Sequence, residues 1–156
     1  MELSSDGRRL RPRPTALNPA VSAQMSRMPR ERTKPELLLR RELHRRGLRF
    51  RVNHRALPGR PDIAFTRVRL AVFVDGCFWH LCPQHSTLPK NNAEWWLIKL
   101  QRNVARDREK DAALIALGWQ ALHAWEHENP AVVADEVERR WLAMRQTLAT
   151  RKDDAS

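Results

Sequence analysis

Two segments of this 156-residue chain are poorly explained as hydrophobic core. In Pro58-Gly59-Arg60-Pro61-Asp62 an acid opens the apolar run Ile63-Ala64-Phe65. A bare buried carboxylate is too costly to keep, so Asp62 must be solvated, paired or holding a metal. In Val74-Asp75-Gly76-Cys77-Phe78-Trp79-His80 a second acid directly follows an apolar strand. Asp62 and Asp75 each stand at a turn-bounded strand end, where neighbouring strands can bring carboxylates together. Hard oxygen ligands of this kind suit Mg²⁺, and a carboxylate-held Mg²⁺ beside a phosphate is a recurrent hydrolytic arrangement. The alternative is two surface acids at turns.

Cys77, Cys82, His85 and His127 form a second constellation. Cys-x₄-Cys-x₂-His with a distant fourth ligand suffices for a closed tetrahedral Zn²⁺ site. A Cys77–Cys82 disulfide or two buried thiols are the alternatives. A third pattern is helical: Trp96, Leu100, Asn103 and Asp107 share one face, and an acid on an inward stripe needs a partner. His80 is one candidate, and Lys110 or solvent is the bland one.

The elements that must position these groups can be read from pattern. Thr33, Pro35 and Glu36 open a helix with a Thr-x-x-Glu capping box. Leu37, Leu38, Leu39 and Leu43 give it an apolar stripe, Arg40, Arg41, Arg45 and Arg46 a basic face, and Gly47 its end. Short strands are expected near 50–52, at 62–65 and at 70–74, the last more fully buried. A loop over 75–91, a long helix over about 93–117 closed by Gly118, a strand over 119–125 and a helix from Pro130 to about 148 follow. That order predicts an α/β fold, a mixed central sheet flanked by helices. Residues 1–30 read as a disordered basic tail, 31–148 as a single domain and 149–156 as a disordered C-terminal tail. Phe73, Trp119 and Trp125 are expected in the core.

Charge narrows the class of partner. The chain carries 29 Lys and Arg against 18 Asp and Glu, a net charge of +11. Residues 26–70 hold 14 basic and 4 acidic side chains, whereas residues 71–156 hold 11 and 12. An excess concentrated in 45 residues is what a nucleic-acid footprint looks like, against the plainer reading of a solvated basic face. No apolar run approaches the roughly 18–20 residues that cross a bilayer, and no signal peptide is apparent. Two cysteines exclude a disulfide scaffold. An intracellular protein, cytoplasmic and near the nucleoid, is expected.

Taken in order, Leu57-Pro-Gly-Arg-Pro-Asp62, Phe73-Val-Asp-Gly-Cys-Phe-Trp-His80, Glu94-Trp-Trp96, Asn103-Val-Ala-Arg-Asp107 and Gly118-Trp119 with Trp125-Glu126 resemble the very short patch repair (Vsr) endonucleases. The resemblance runs from about Ser26 to Glu128. It implies a PD-(D/E)-x-K restriction-endonuclease-like fold without the usual Lys, with a structural zinc. The implied activity is a Mg²⁺-dependent nick on the 5′ side of the T in a T·G mismatch, the lesion left when 5-methylcytosine deaminates.

The resemblance also assigns roles. Asp62 and the backbone carbonyl of Val74, where members often have Thr, would bind Mg²⁺. His80 would activate water, which its near-neutral unperturbed pKa permits. Asp107 would sit beside it. Glu36 matches an active-site glutamate, although the capping box alone accounts for it. Asp75 departs from members carrying His near the leaving group, and as an acid it suits a further metal or water ligand. Cys77, Cys82, His85 and His127 match the zinc ligands. Phe78, Trp79 and Trp96 match an aromatic wedge beside the mispair, where unstacking is cheapest. Arg60 and Asn103 fall in motifs expected at the DNA.

The expected partner is duplex DNA bearing a T·G mismatch, bound by a monomer, with no membrane and with mismatch-repair proteins as further partners. The rivals are a non-catalytic, zinc-stapled DNA-binding module and a related nuclease with another mismatch or site preference.

Overall fold

The computed structural model describes residues 33–85 and 87–155. The tail expected over residues 1–30 lies outside these. The elements run α1 (Lys34–Arg45), β1 (Arg51–Val52), β2 (Ile63–Phe65), β3 (Leu70–Asp75), α2 (Ala93–Ala116), β4 (Gln120–Trp125) and α3 (Pro130–Asp154). The strands form one sheet in the order β1-β2-β3-β4. The first two pairings are antiparallel and β3–β4 is parallel, so the sheet is mixed, as expected.

Alternation along the strands divides the core in two, because successive side chains leave opposite faces. Ile63, Phe65, Leu70 and Val72 pack with Leu39 and Leu43 of α1 and with Val133, Ala134 and Val137 of α3. Ala71 and Phe73 face the other way, onto Leu114 of α2 with Trp119 and Ala121 against them. The fold is thus three layers, with α1 and α3 on one face and α2 on the other. The parallel β3–β4 pair requires a crossover, and α2 is that crossover. Gly118, at φ +82°, turns the chain out of α2 into β4.

Several details differ from expectation. The Thr33 side chain makes no capping hydrogen bond. Glu36 is 2% exposed and accepts from Arg40 instead, at 3.3 Å. A buried cation offers an anion more than a frayed N–H does, and that decides the geometry. Leu37 and Leu38 are exposed, leaving Leu39 and Leu43 as the buried stripe. The basic face of α1 is also partly consumed within the fold. Arg40 is buried, and Arg46 binds Glu42, Asp135 and Glu138 across to α3. Helix α3 runs to Asp154, so residues expected as a C-terminal tail from 149 continue the helix. Phe73 is buried as expected, whereas Trp119 and Trp125 are only half-buried.

Candidate functional site

Antiparallel pairing of β2 with β3 sets Asp62, the residue before β2, beside the end of β3. The Val74 N–H donates to Asp62 Oδ2 at 2.7 Å. Val74 shares the parity of Val72, which pairs with Ile63, so its N–H and C=O both leave toward β2. Burial raises the Asp62 carboxyl to about 7, with the charge and hydrogen bond of Glu36 and the charge of Asp75 adding to it. The Val74 hydrogen bond opposes the rise. Two carboxyls sharing a hydrogen bond in a half-dry place form a pre-assembled site for a hard cation.

Beyond Asp75 the chain coils tightly. His80 N–H donates to Gly76 O at 3.2 Å and Cys82 N–H to Cys77 O at 2.9 Å, which folds the imidazole back toward the strand end. His80 Nδ1 pairs with Asp107 Oδ2 on α2, so Nε2 is the nitrogen that Asp107 does not engage. Burial lowers the His80 pKa, but the Asp107 hydrogen bond and the charges of Asp75 and Asp107 leave it raised. Asp75 is thus a charged neighbour of both Asp62 and His80. The expected helical face of α2 delivers Asp107 to His80. Asn103 on the same face donates to Trp79 O at 3.4 Å, so its amide braces this loop rather than standing free for a base.

Cys77, Cys82, His85 and His127 bring one ligand atom each to within 4.8 Å of one another. Cys77 Sγ lies 3.1 Å from His127 Nδ1, and Cys82 Sγ lies 3.8 Å from both His85 Nδ1 and His127 Nδ1. Bond lengths of about 2.3 Å to sulfur and about 2.0 Å to nitrogen give tetrahedral edges of about 3.5 Å, so two thiols and two imidazoles at these spacings fit one metal ion. Both cysteines are free, which removes the disulfide alternative. The loop is further fixed to β4 by Cys77 N–H donating to Glu126 Oε1 at 3.0 Å.

The aromatics form one cluster. Phe78 lies 5.0 Å from Trp79 and 5.5 Å from Trp96 between ring centroids, and Trp95 joins at 5.0 Å from Trp96. All are half-buried beside His80 in sequence or on the start of α2. Arg60 is exposed, in the left-handed region at φ 49°, in the turn that leads to Asp62.

Sequence reasoning missed three members. Arg40 was assigned to the basic face and is the buried partner of Glu36, also reaching Asn53 Oδ1 at 3.3 Å. His123, on β4 opposite Phe73, holds Asp75 at 2.7 Å through Nδ1. Asp111, one turn beyond Asp107, meets His123 Nε2 at 2.8 Å. Burial pulls His123 down, but hydrogen bonds and charges of Asp75 and Asp111 raise it to about 9. The Asp107/Asp111 spacing was a readable signal for the last; nothing local marks His123.

A family model described as DNA mismatch endonuclease Vsr matches residues 18–85. The chain is 44% identical over 121 residues to type II nicking enzyme V.NaeI of Lentzea aerocolonigenes, covering 74% of this chain and 73% of that protein. It is 43% identical over 106 residues to type II nicking enzyme V.XorIIP of Xanthomonas oryzae pv. oryzae, covering 67% and 77%. DNA mismatch endonuclease Vsr of Escherichia coli K12 matches at 45% over 83 residues, covering 51% and 52%. At this identity and coverage the likeness is one of kinship, and the chain belongs to the Vsr family of DNA mismatch endonucleases.

Proposed function

We propose that this chain is a Mg²⁺-dependent endonuclease that nicks duplex DNA on the 5′ side of the T in a T·G mismatch. The observation that carries the reading is the meeting of Asp62, Glu36 and Asp75 with the His80–Asp107 pair at one end of β3. Asp62 and the Val74 carbonyl would hold Mg²⁺, which when bound supplies charge neutralisation at the scissile phosphate. His80 Nε2 takes a proton from water while Asp107 holds the ring and stabilises the resulting imidazolium. The water oxygen attacks phosphorus, and the bond to the leaving sugar oxygen breaks, that oxygen taking a proton from solvent, to which the His80 imidazolium returns its own. Glu36 would help to hold the ion, Asp75 would order the attacking water, and Arg60 would stand at the DNA backbone.

Phe78, Trp79 and Trp96 would enter beside the mispair, discriminating by ease of unstacking. Cys77, Cys82, His85 and His127 would hold a structural Zn²⁺ that pins this loop to β4. Residues 31–148 would act as one domain and one monomer, at the bacterial nucleoid in the cytoplasm, with mismatch-repair proteins as further partners. No helix among the described residues is long and apolar enough to cross a membrane.

Asp62→Ala should abolish nicking of a T·G duplex in Mg²⁺ while leaving mismatch binding intact. Full nicking by that variant refutes the assignment. A second reading keeps the chemistry and changes the target, and it is favoured by relatives named as type II nicking enzymes. Cleavage of matched, T·G and other mispaired duplexes, each in several sequence contexts, separates the two.

A further inference from the structure

Five acids collect around the end of β3 and the facing turn of α2: Glu36, Asp62, Asp75, Asp107 and Asp111. On the endonuclease reading, the substrate that must approach them is itself a polyanion. Glu36 is answered by Arg40, and Asp107 by His80. Asp75 and Asp111 are both answered by His123. Its Nδ1 lies 2.7 Å from Asp75 Oδ2, and its Nε2 lies 2.9 and 2.8 Å from the two Asp111 oxygens. Ionised carboxylates only accept, so each ring nitrogen facing one must carry hydrogen, and the ring is an imidazolium.

The ring is also fixed in orientation. It stacks on Phe73 at 4.7 Å between centroids and 9° between planes. Phe73 is backed in turn by Gly59, where a Cβ would lie 3.1 Å from the ring. The turn before Asp62, the core ring of β3 and the imidazole of β4 are therefore in contact in series.

We infer that His123 is a positioning residue of the nuclease site, a cationic clamp on Asp75 and Asp111 that lets this acidic strand end accept a phosphodiester. The inference rests on the endonuclease reading. His123 acts through the two carboxylates it holds and need not touch the reacting atoms. Removing it leaves two acids uncompensated where a phosphate must sit, which is unfavourable for anion entry.

The test uses the full chain and a T·G duplex, with binding measured without added Mg²⁺ and nicking in Mg²⁺. His123→Gln should weaken DNA binding without Mg²⁺ by about tenfold, because like charges then face each other. Two changes should restore affinity to within about threefold of wild type, since each re-balances the charge: His123→Arg, and Asp111→Asn added to His123→Gln. A purely structural brace would lower the melting temperature in all three variants and would not return DNA affinity on removal of Asp111's charge. Wild-type affinity for His123→Gln, or no recovery in the double variant, overturns the inference. Wild-type protein that binds the duplex but never nicks it would sink the endonuclease reading and leave the clamp to be judged by the binding arms alone.

Discussion

His80 and Asp62 are two ionisable groups that the same scaffold moves upward for different reasons, the imidazole through its acidic partners and the carboxyl through burial. The imidazole keeps one nitrogen free because Asp107 engages the other, and the carboxyl is raised to about 7 by burial first and by Glu36 and Asp75 after it. His80→Ala should lower kcat by about 10²–10⁴-fold, the usual worth of a positioned general base, with DNA affinity little changed. Single-turnover nicking alongside equilibrium binding checks this, and a matching loss of affinity would count against a base. At this scale the chemistry-bearing residues were legible because carboxylates and imidazoles at strand ends have few structural uses. From local pattern Glu36 was legible as a cap, and only the family resemblance marked it as an active-site acid. Its partner Arg40 lies four residues on, at helical spacing, but sequence could not say that the pair turns inward. His123 was invisible, since one histidine in an alternating strand says nothing about what faces it across 48 or 12 residues.

The helices were legible to within a residue or two at most ends, because Gly47, Gly118 and Pro130 punctuate them. The end of α3 was not, because no breaker follows 148 and the helix simply continues in solvent. Helix α1 is tied to α3 through Arg46, which bonds Glu42, Asp135 and Glu138. Hydrogen bonds from Arg45 and then Arg46 hold the Glu42 carboxyl at about 2, below its ordinary 4.5. A depressed folded-state pKa gives stability that is present above about 4.5 and is lost as pH falls toward 2. Glu42→Gln should therefore lower the melting temperature at about pH 6, and the gap to wild type should close near pH 2. A gap that persists in acid would mean the loss is one of packing. The loop after β3 depends on another tie. If the Cys77, Cys82, His85 and His127 cluster holds zinc as proposed, Cys82→Ser should reduce the zinc content measured by elemental analysis and lower the melting temperature together, since a loop with little core of its own relies on its ligands. Unchanged stability with the metal gone would remove the structural role.

For the molecule as a whole, the net charge of +11 is a poor guide to how many phosphates are touched. Arg40 and Arg46 are spent inside the fold, so the basic stretch contributes fewer free cations than its count. Exposed residues such as Arg51 and Arg55 remain for the backbone. Binding should still weaken steeply with salt, and Arg51→Ala should reduce the slope of log K against log salt by about 0.9. A slope unmoved by that change places Arg51 away from the DNA.

Strand order has a consequence for biosynthesis. Leu70 pairs with Gln120 and Asp75 with Trp125, so β3 waits for a neighbour that is translated fifty positions later. Asp62, Asp75 and His80 leave the ribosome before the strand bearing His123, and before His127 just after it. A growing chain thus carries these side chains long before it can bring them together with His123. Long-range parallel pairing is slow to form, so the candidate site is assembled only after β4 has been made and has docked on β3.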